Sequence, residues 1–310
     1  MNILLLGAAG FIGTNLTLQL CQDPSNHLTL VDVCKNYFPA AVQQPNVTIW
    51  EDPILTTKDF TPFLQGQDMV YHLVSTTVPT TANQQIAEEL SANVVMTARL
   101  LDACVQCNVK KVIFLSSGGT VYGKQNTCPL KEDTPTNPIS SYGVQKVTIE
   151  KLLYLYRYMH GLDYRVIRLA NPYGPYQRPN GVLGAVTTFT YKALRREPIS
   201  VYGDGSVVRD FIYIDDAVRG ILNIAGSDTE HRTFNLGCGY GTSIRQVLDQ
   251  IRCTLQIPMD VQWLPTRKVD VPVNFLDITR YENTFGPLAP ISLSEGILKT
   301  AAFMKDSGML

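Results

Sequence analysis

Apolar positions along this chain fall into short unbroken runs separated by longer stretches with helical spacing, and the two alternate through the first 170 residues. "NILLL" (2–6) reads as a strand and 11–22 as a helix; "LTLVDV" (28–33), "VTIW" (47–50) and "MVYHLV" (69–74) give three more strands. A long helix is predicted over 84–106, a strand at "KVIFLSS" (111–117), a helix over 141–160 and a strand at "YRVIRLA" (164–170). Strands that are apolar throughout and separated by helices indicate a parallel sheet covered on both faces. Right-handed crossovers then make an α/β, doubly wound, Rossmann-type sheet that binds ligands at the carboxyl ends of its strands. After Ala170 the texture changes, and "NPYGPYQRPNG" is dense in Pro and Gly. The expected division is a main-sheet domain over 1–171 plus about 215–257, and a smaller lobe over about 172–214 plus 258–310.

Composition narrows the class. Over 310 residues, with 45% hydrophobic and 17% charged, a sizeable core is expected and disorder is not. A formal net charge of −1, with Lys and Arg scattered, argues against nucleic acid or an anionic membrane as the main partner. No stretch reaches the roughly 18 apolar residues of a spanning helix. The opening "MNILLLGAAGFIG" has no basic leader and breaks at Gly7, so a cytoplasmic location is expected. Cys104 and Cys107 form a C-x-x-C without a second ligand pair, so the seven cysteines are expected to be reduced thiols and no metal site is expected.

"GAAGFIG" places Gly7, Gly10 and Gly13 after a strand and at the opening of a helix. The first allows a tight turn, the second lets backbone amides approach a pyrophosphate, and the third lets the helix pack on the sheet. The helix N-terminus then faces the phosphates with partial positive charge. Asp32 ends the next strand, where a carboxylate binds ribose hydroxyls and repels a 2′-phosphate, favouring NAD over NADP. Asp52 follows the third strand, where such folds meet the adenine, and Asn93 lies within the long helix.

Tyr142 and Lys146 are spaced i, i+4 and so share one helix face. A free phenol is a poor base at neutral pH, and an ammonium held close is expected to lower its pKa. The tyrosine can then take a proton from a sugar hydroxyl as hydride leaves the same carbon.

With "GAAGFIG", "SSGGTVYG", "SYGVQK", "RLANPYGP", "VYGDGSVVRDFIYIDD" and "RKVDVPVNFLDITR", the chain resembles the extended short-chain dehydrogenase/reductase family over nearly its whole length. It is most similar to the nucleotide-sugar epimerase/dehydratase branch, and within that to UDP-hexose 4-epimerases. The resemblance implies a tightly bound, recycled NAD, a UDP-sugar substrate and a homodimer formed through two helices per subunit. Val144, Val147, Leu152, Leu153 and Tyr156 on the 141–160 helix fit such pairing or ordinary packing. It extends the cofactor set to Phe11, Ile12, Pro53, Leu73, Ser75, Ser116 and Ala170, and the substrate set to Thr77, Gly118, Asn171, Arg209, Arg267, Asp270 and Asn274. Arg209 and Arg267 match arginines that hold the diphosphate. Asn274 matches a position where a bulkier residue excludes an N-acetyl group, and Arg178 is an alternative partner for a uronate carboxylate.

Dehydratases and decarboxylases of the branch place acids where this chain has Gly119 and Thr120, so elimination chemistry is not expected here. Many epimerases carry a serine at the position of Gly118; Thr120, then Ser117, is expected to supply the catalytic hydroxyl. The leading expectation is a UDP-hexose or UDP-N-acetylhexosamine 4-epimerase working through a transient 4-keto sugar. The alternatives are a nucleotide-4-keto-sugar reductase, a UDP-glucuronate 4-epimerase and a non-catalytic dinucleotide-binding scaffold.

Overall fold

A computed structural model describes residues 1–77, 81–179, 184–266 and 271–310. In chain order the first half runs β1 (Asn2–Leu6), α1 (Phe11–Leu20), β2 (His27–Asp32), β3 (Val47–Glu51), α2 (Thr61–Leu64), β4 (Met69–His72), α3 (Ile86–Leu90), α4 (Met96–Gln106), β5 (Lys111–Ser117), α5 (Ser141–His160) and β6 (Asp163–Leu169). The second half runs β7 (Asn171–Tyr173), α6 (Ala185–Leu194), β8 (Ile199–Tyr202), β9 (Val208–Arg209), β10 (Phe211–Tyr213), α7 (Ile214–Gly226), β11 (Thr233–Leu236), β12 (Thr242–Ser243), α8 (Ile244–Leu255), β13 (Val261–Leu264), β14 (Val273–Asn274), α9 (Thr279–Phe285) and α10 (Leu293–Asp306).

The central sheet has the order β11-β6-β5-β4-β1-β2-β3, with every neighbouring pair parallel. Its strands read as unbroken apolar runs because each alternates between two cores. Ile3, Leu5, Ile113 and Leu115 point to a core shared with α1 and α7, while Leu4, Leu6, Val112 and Phe114 point to one shared with α2, α4 and α5. Strand order reverses between β1 and β4, and that switch point opens a crevice at the carboxyl edge.

The helix expected over 84–106 is not a single α-helix. A π-helical turn, Ser91–Val95, joins α3 to α4. Asn93 turns inward there: its amide donates to Glu89 O at 2.9 Å and Thr76 Oγ1 at 2.7 Å, and Thr97 Oγ1 donates to its carbonyl. α5 has the expected bounds, with the Ser140 side chain accepting from Gly143 N and left-handed Gly161 ending it. Outside the main sheet, β8 pairs with β13 and β9 lies between β12 and β14. α8, assigned from sequence to the segment returning to the main sheet, packs instead against α6 and α10, since its buried Val247, Leu248 and Ile251 face those helices.

Candidate active site

Two cavities meet at the carboxyl edge of the sheet. One, of about 660 Å³, is lined by Gly7, Ala9, Asp32, Tyr37, Ile54, Thr76 and Arg178. The other, of about 540 Å³, is lined by Ser117, Tyr142, Lys146, Asn171 and Arg209, and both share Gly7, Gly10, Phe11, Leu73 and Ser75. The glycine loop is built as its spacing predicts. Gly7 has φ +82°, and a Cβ on Gly13 would sit 2.6 Å from Gly7 O and 2.7 Å from Ala8 Cα, so neither position accepts a side chain without movement. Asp32 accepts from the amides of Ala9 and Val33, each at 2.8 Å, which aims its carboxylate along the loop into the larger cavity. Gly10, without a side-chain cap, begins α1, so the first amides of that helix are free of internal competition.

At the smaller cavity, Tyr142 and Lys146 project from α5 toward the end of β5. Lys146 is buried, donates to Leu115 O at 2.8 Å and lies 5.6 Å from the centre of the Tyr142 ring. Burial pulls its pKa down to about 8, opposed by the charge of Glu150. The expected lowering of the phenol by Lys146 does not appear. Burial pushes Tyr142 up to about 12, and the group that opposes this is Ser117, through a side-chain hydrogen bond.

The hydroxyl order expected from sequence is reversed in space. Ser117 lines the cavity together with Tyr142, whereas Thr120 does not line it and its Oγ1 is buried without a hydrogen-bond partner among the described residues. Strand β5 ends at Ser117, and the chain turns away before reaching Thr120. Gly118 is packed against Leu276, whose Cδ atoms would lie 2.5 and 2.9 Å from an added Cβ, so a serine cannot be placed there as the surroundings stand.

Other expected residues divide into those at the cavities and those behind them. Phe11, Ile12, Leu73, Ser75, Ser116, Ala170, Asn171 and Arg209 line the smaller cavity. Asn171 donates its amide to Asp210 O at 2.9 Å, and Arg209 donates to Val208 O and Val271 O. Asp52 and Pro53 stop short of the larger cavity, which the next residues, Ile54 and Leu55, line instead. Asn93 is also set back, behind Thr76, whose amide donates to its Oδ1 at 3.0 Å. Thr77 is buried with its hydroxyl 3.2 Å from Gln145 Oε1, and Asn274 is buried with its amide 3.3 Å from Gly118 O. Arg178 lies at the far cavity, its guanidinium 4.6 Å from the Tyr37 ring centre, away from Tyr142. Arg267 and Asp270 lie outside the described residues.

Sequence reasoning missed Gln177, which lines both cavities and donates to Pro172 O at 3.1 Å. An added Cβ at Gly184 would sit 2.5 Å from its amide oxygen, so the signal was a Pro- and Gly-rich segment rather than a chemical motif. Asp210 was also missed. It is fully buried and accepts from the amides of Cys238, Gly239 and Leu276, so it fixes the cavity wall from behind.

A glycine cradle that Cβ atoms would fill, a carboxylate at the end of β2 and a Tyr–Lys pair at one switch-point crevice fit a nicotinamide dinucleotide and define an extended short-chain dehydrogenase/reductase. The description "NAD dependent epimerase/dehydratase family" matches residues 3–237, and the chain belongs to that family, with NAD as cofactor. It is 33% identical to a UDP-glucose 4-epimerase of Mycolicibacterium smegmatis, covering 99% of each chain. Among solved structures it is similar to a UDP-glucuronic acid 4-epimerase of Bacillus cereus in complex with UDP-glucuronic acid and NAD (TM-score 0.90, 27% identity, 99% and 100% covered). It is also similar to a UDP-N-acetylglucosamine 4-epimerase of Methanobrevibacter ruminantium (TM-score 0.89, 29% identity, 99% and 98% covered). No helix among the described residues is long and apolar enough to cross a membrane.

Proposed function

We propose that this chain is an NAD-dependent 4-epimerase of a UDP-hexose or UDP-N-acetylhexosamine, acting through a transient 4-keto sugar. One observation carries the reading: Ser117, Tyr142 and Lys146 line one cavity whose described lining contains no Asp or Glu. Dehydration and decarboxylation call for an acid or carboxylate beside the keto sugar, whereas epimerisation needs only a reversible proton acceptor. Bound NAD would be held by Gly7, Gly10, Gly13 and Asp32 and would supply the hydride acceptor and donor.

The chain's own residues do the rest. Tyr142 takes the O4 proton through the Ser117 hydroxyl and returns it after the sugar has turned over. Lys146, its ammonium 5.6 Å from the phenol ring centre, engages the nicotinamide ribose. Arg209 offers a guanidinium to the diphosphate. Asn274, drawn back against Gly118 O, leaves the sugar end open to an N-acetyl group. Arg178 lines the larger cavity and not the one lined by Tyr142, which weighs against a uronate as the preferred substrate. Pairing into a homodimer is proposed through the outer face of α5, where Val144, Tyr154, Leu155, Tyr158 and Met159 are exposed. Of the residues expected there, Leu153 is instead in the core, and Leu152 and Tyr156 pack against it.

The test is to incubate the purified protein with UDP-glucose, UDP-N-acetylglucosamine or UDP-glucuronate, without added dinucleotide, and follow the sugar by NMR. A C4 epimer, a dimeric mass by light scattering, and loss of conversion with retained NAD in Tyr142→Phe are expected. Conversion that requires NADPH and a keto sugar overturns the reading in favour of a reductase.

A further inference from the structure

Two consecutive residues of β5 are held by successive turns of α5. Leu115 O accepts from Lys146 Nζ at 2.8 Å, and Ser116 Oγ donates to Glu150 Oε1 at 2.5 Å. Tyr142, Lys146 and Glu150 are spaced i, i+4 and i+8, so they form one stripe facing the strand. Glu150 and Arg168 are both at least nine-tenths buried, and neither lines the cavity. Arg168, on β6, grips the Glu150 carboxylate with Nε at 3.1 Å and Nη2 at 2.7 Å. Its other nitrogen donates to Tyr122 OH at 3.0 Å and Glu132 O at 2.9 Å. A buried ion pair is a costly way to join a helix to a sheet, and apolar residues of similar volume would stabilise as well.

We propose that Glu150, oriented by Arg168, is a positioning residue for proton transfer: it sets the register of β5 against α5 and supplies the negative charge that Lys146 faces. The proposal rests on the reading of Tyr142 and Lys146 given above. The groups around Lys146 make Glu150 the one that matters. α5 itself contributes Tyr142 and Glu150. β4 contributes His72, held neutral by burial and by the charge of Lys146. β5 contributes the Phe114 ring, 4.7 Å from the ammonium, and the Leu115 carbonyl. The charge of Arg168 on β6 is spent on Glu150, and that of Glu89 on α3 on Ser141 and Gln145. Burial acts against the ammonium, and Glu150 is the charge that opposes it.

The test uses the NAD-containing protein, Glu150→Gln, and the double variant Glu150→Met/Arg168→Met, which leaves no orphaned guanidinium. Two readouts are taken: the pH profile of kcat for the converted UDP-sugar, and the 13C NMR titration of labelled lysines, with the Lys146 signal assigned from Lys146→Arg. In Glu150→Gln the alkaline limb and the Lys146 midpoint are expected to move lower by about one pH unit, about a tenfold change in the Lys146 proton equilibrium; in the double variant, which removes the paired cation with the anion, they are expected to move the same way by less. Bound NAD and KM are expected to change little. An unmoved midpoint in the folded double variant overturns the proposal and leaves the pair as packing alone. Should the parent convert no nucleotide sugar, the functional reading fails, and the lysine titration still decides the role of Glu150.

Discussion

Tyr142 shows how burial rearranges chemistry that spacing alone suggests. An i, i+4 lysine was expected to make the phenol a better base, yet burial pushes that phenol up to about 12 while Ser117 works against the rise. A hydroxyl that lines the cavity beside the phenol is thus the group best placed to relay the O4 proton. Ser117→Ala is expected to lower kcat by roughly 10²-fold, in the range of a lost proton relay, with KM changed little. Thr120→Ala, whose hydroxyl lies behind the cavity, is expected to stay within about threefold, as for a group outside the reacting set. Steady-state kinetics on both variants checks this, and the opposite order would restore the expectation drawn from sequence. Tyr142, Lys146 and Asp32 were legible because their spacing and flanking elements are local. The ranking of Ser117 and Thr120 was not, because it depends on where β5 ends relative to α5.

At the scale of elements, the glycine loop couples packing to cofactor retention. An added Cβ at Gly13 would meet Ala8 O at 2.7 Å as well as the backbone of Gly7, so α1 must slide away from β1. Gly13→Ala is expected to lose about 1–3 kcal/mol of stability, the usual cost of overpacking. It is also expected to release NAD during gel filtration, measured by absorbance and by denaturant unfolding. An alanine variant that retains both would show that the helix has slack. The strands of the main sheet were readable from unbroken apolar runs, and α5 was bounded by its caps. The π turn at Ser91–Val95 was not readable, because Asn93 finds its partners on Thr76, far along the chain.

For the molecule as a whole, Asp210 ties β10 to the segments after β11 and β14 through three backbone amides. Burial pushes its pKa up to about 6 from an ordinary 3.8. The folded chain therefore holds this proton more tightly than the unfolded chain. Stability from that difference is complete below about pH 3.8 and is lost as pH rises through about 6. Across that window the parent is expected to lose on the order of 2 kcal/mol relative to Asp210→Asn, which cannot titrate. Urea unfolding of both proteins at pH 4, 5 and 6.5 measures it, and parallel pH dependences would show that Asp210 is not strained by burial. Sequence alone determined the doubly wound class, the dinucleotide loop and the Tyr–Lys pair, since each depends on residues within a few turns of one another. Tertiary structure decided which hydroxyl lines the cavity with the phenol, that Ile54 and Leu55 rather than Asp52 and Pro53 line the larger cavity, and that Glu150 and Asp210 pack behind the site. Those outcomes depend on burial and on contacts between distant segments, which periodicity does not encode.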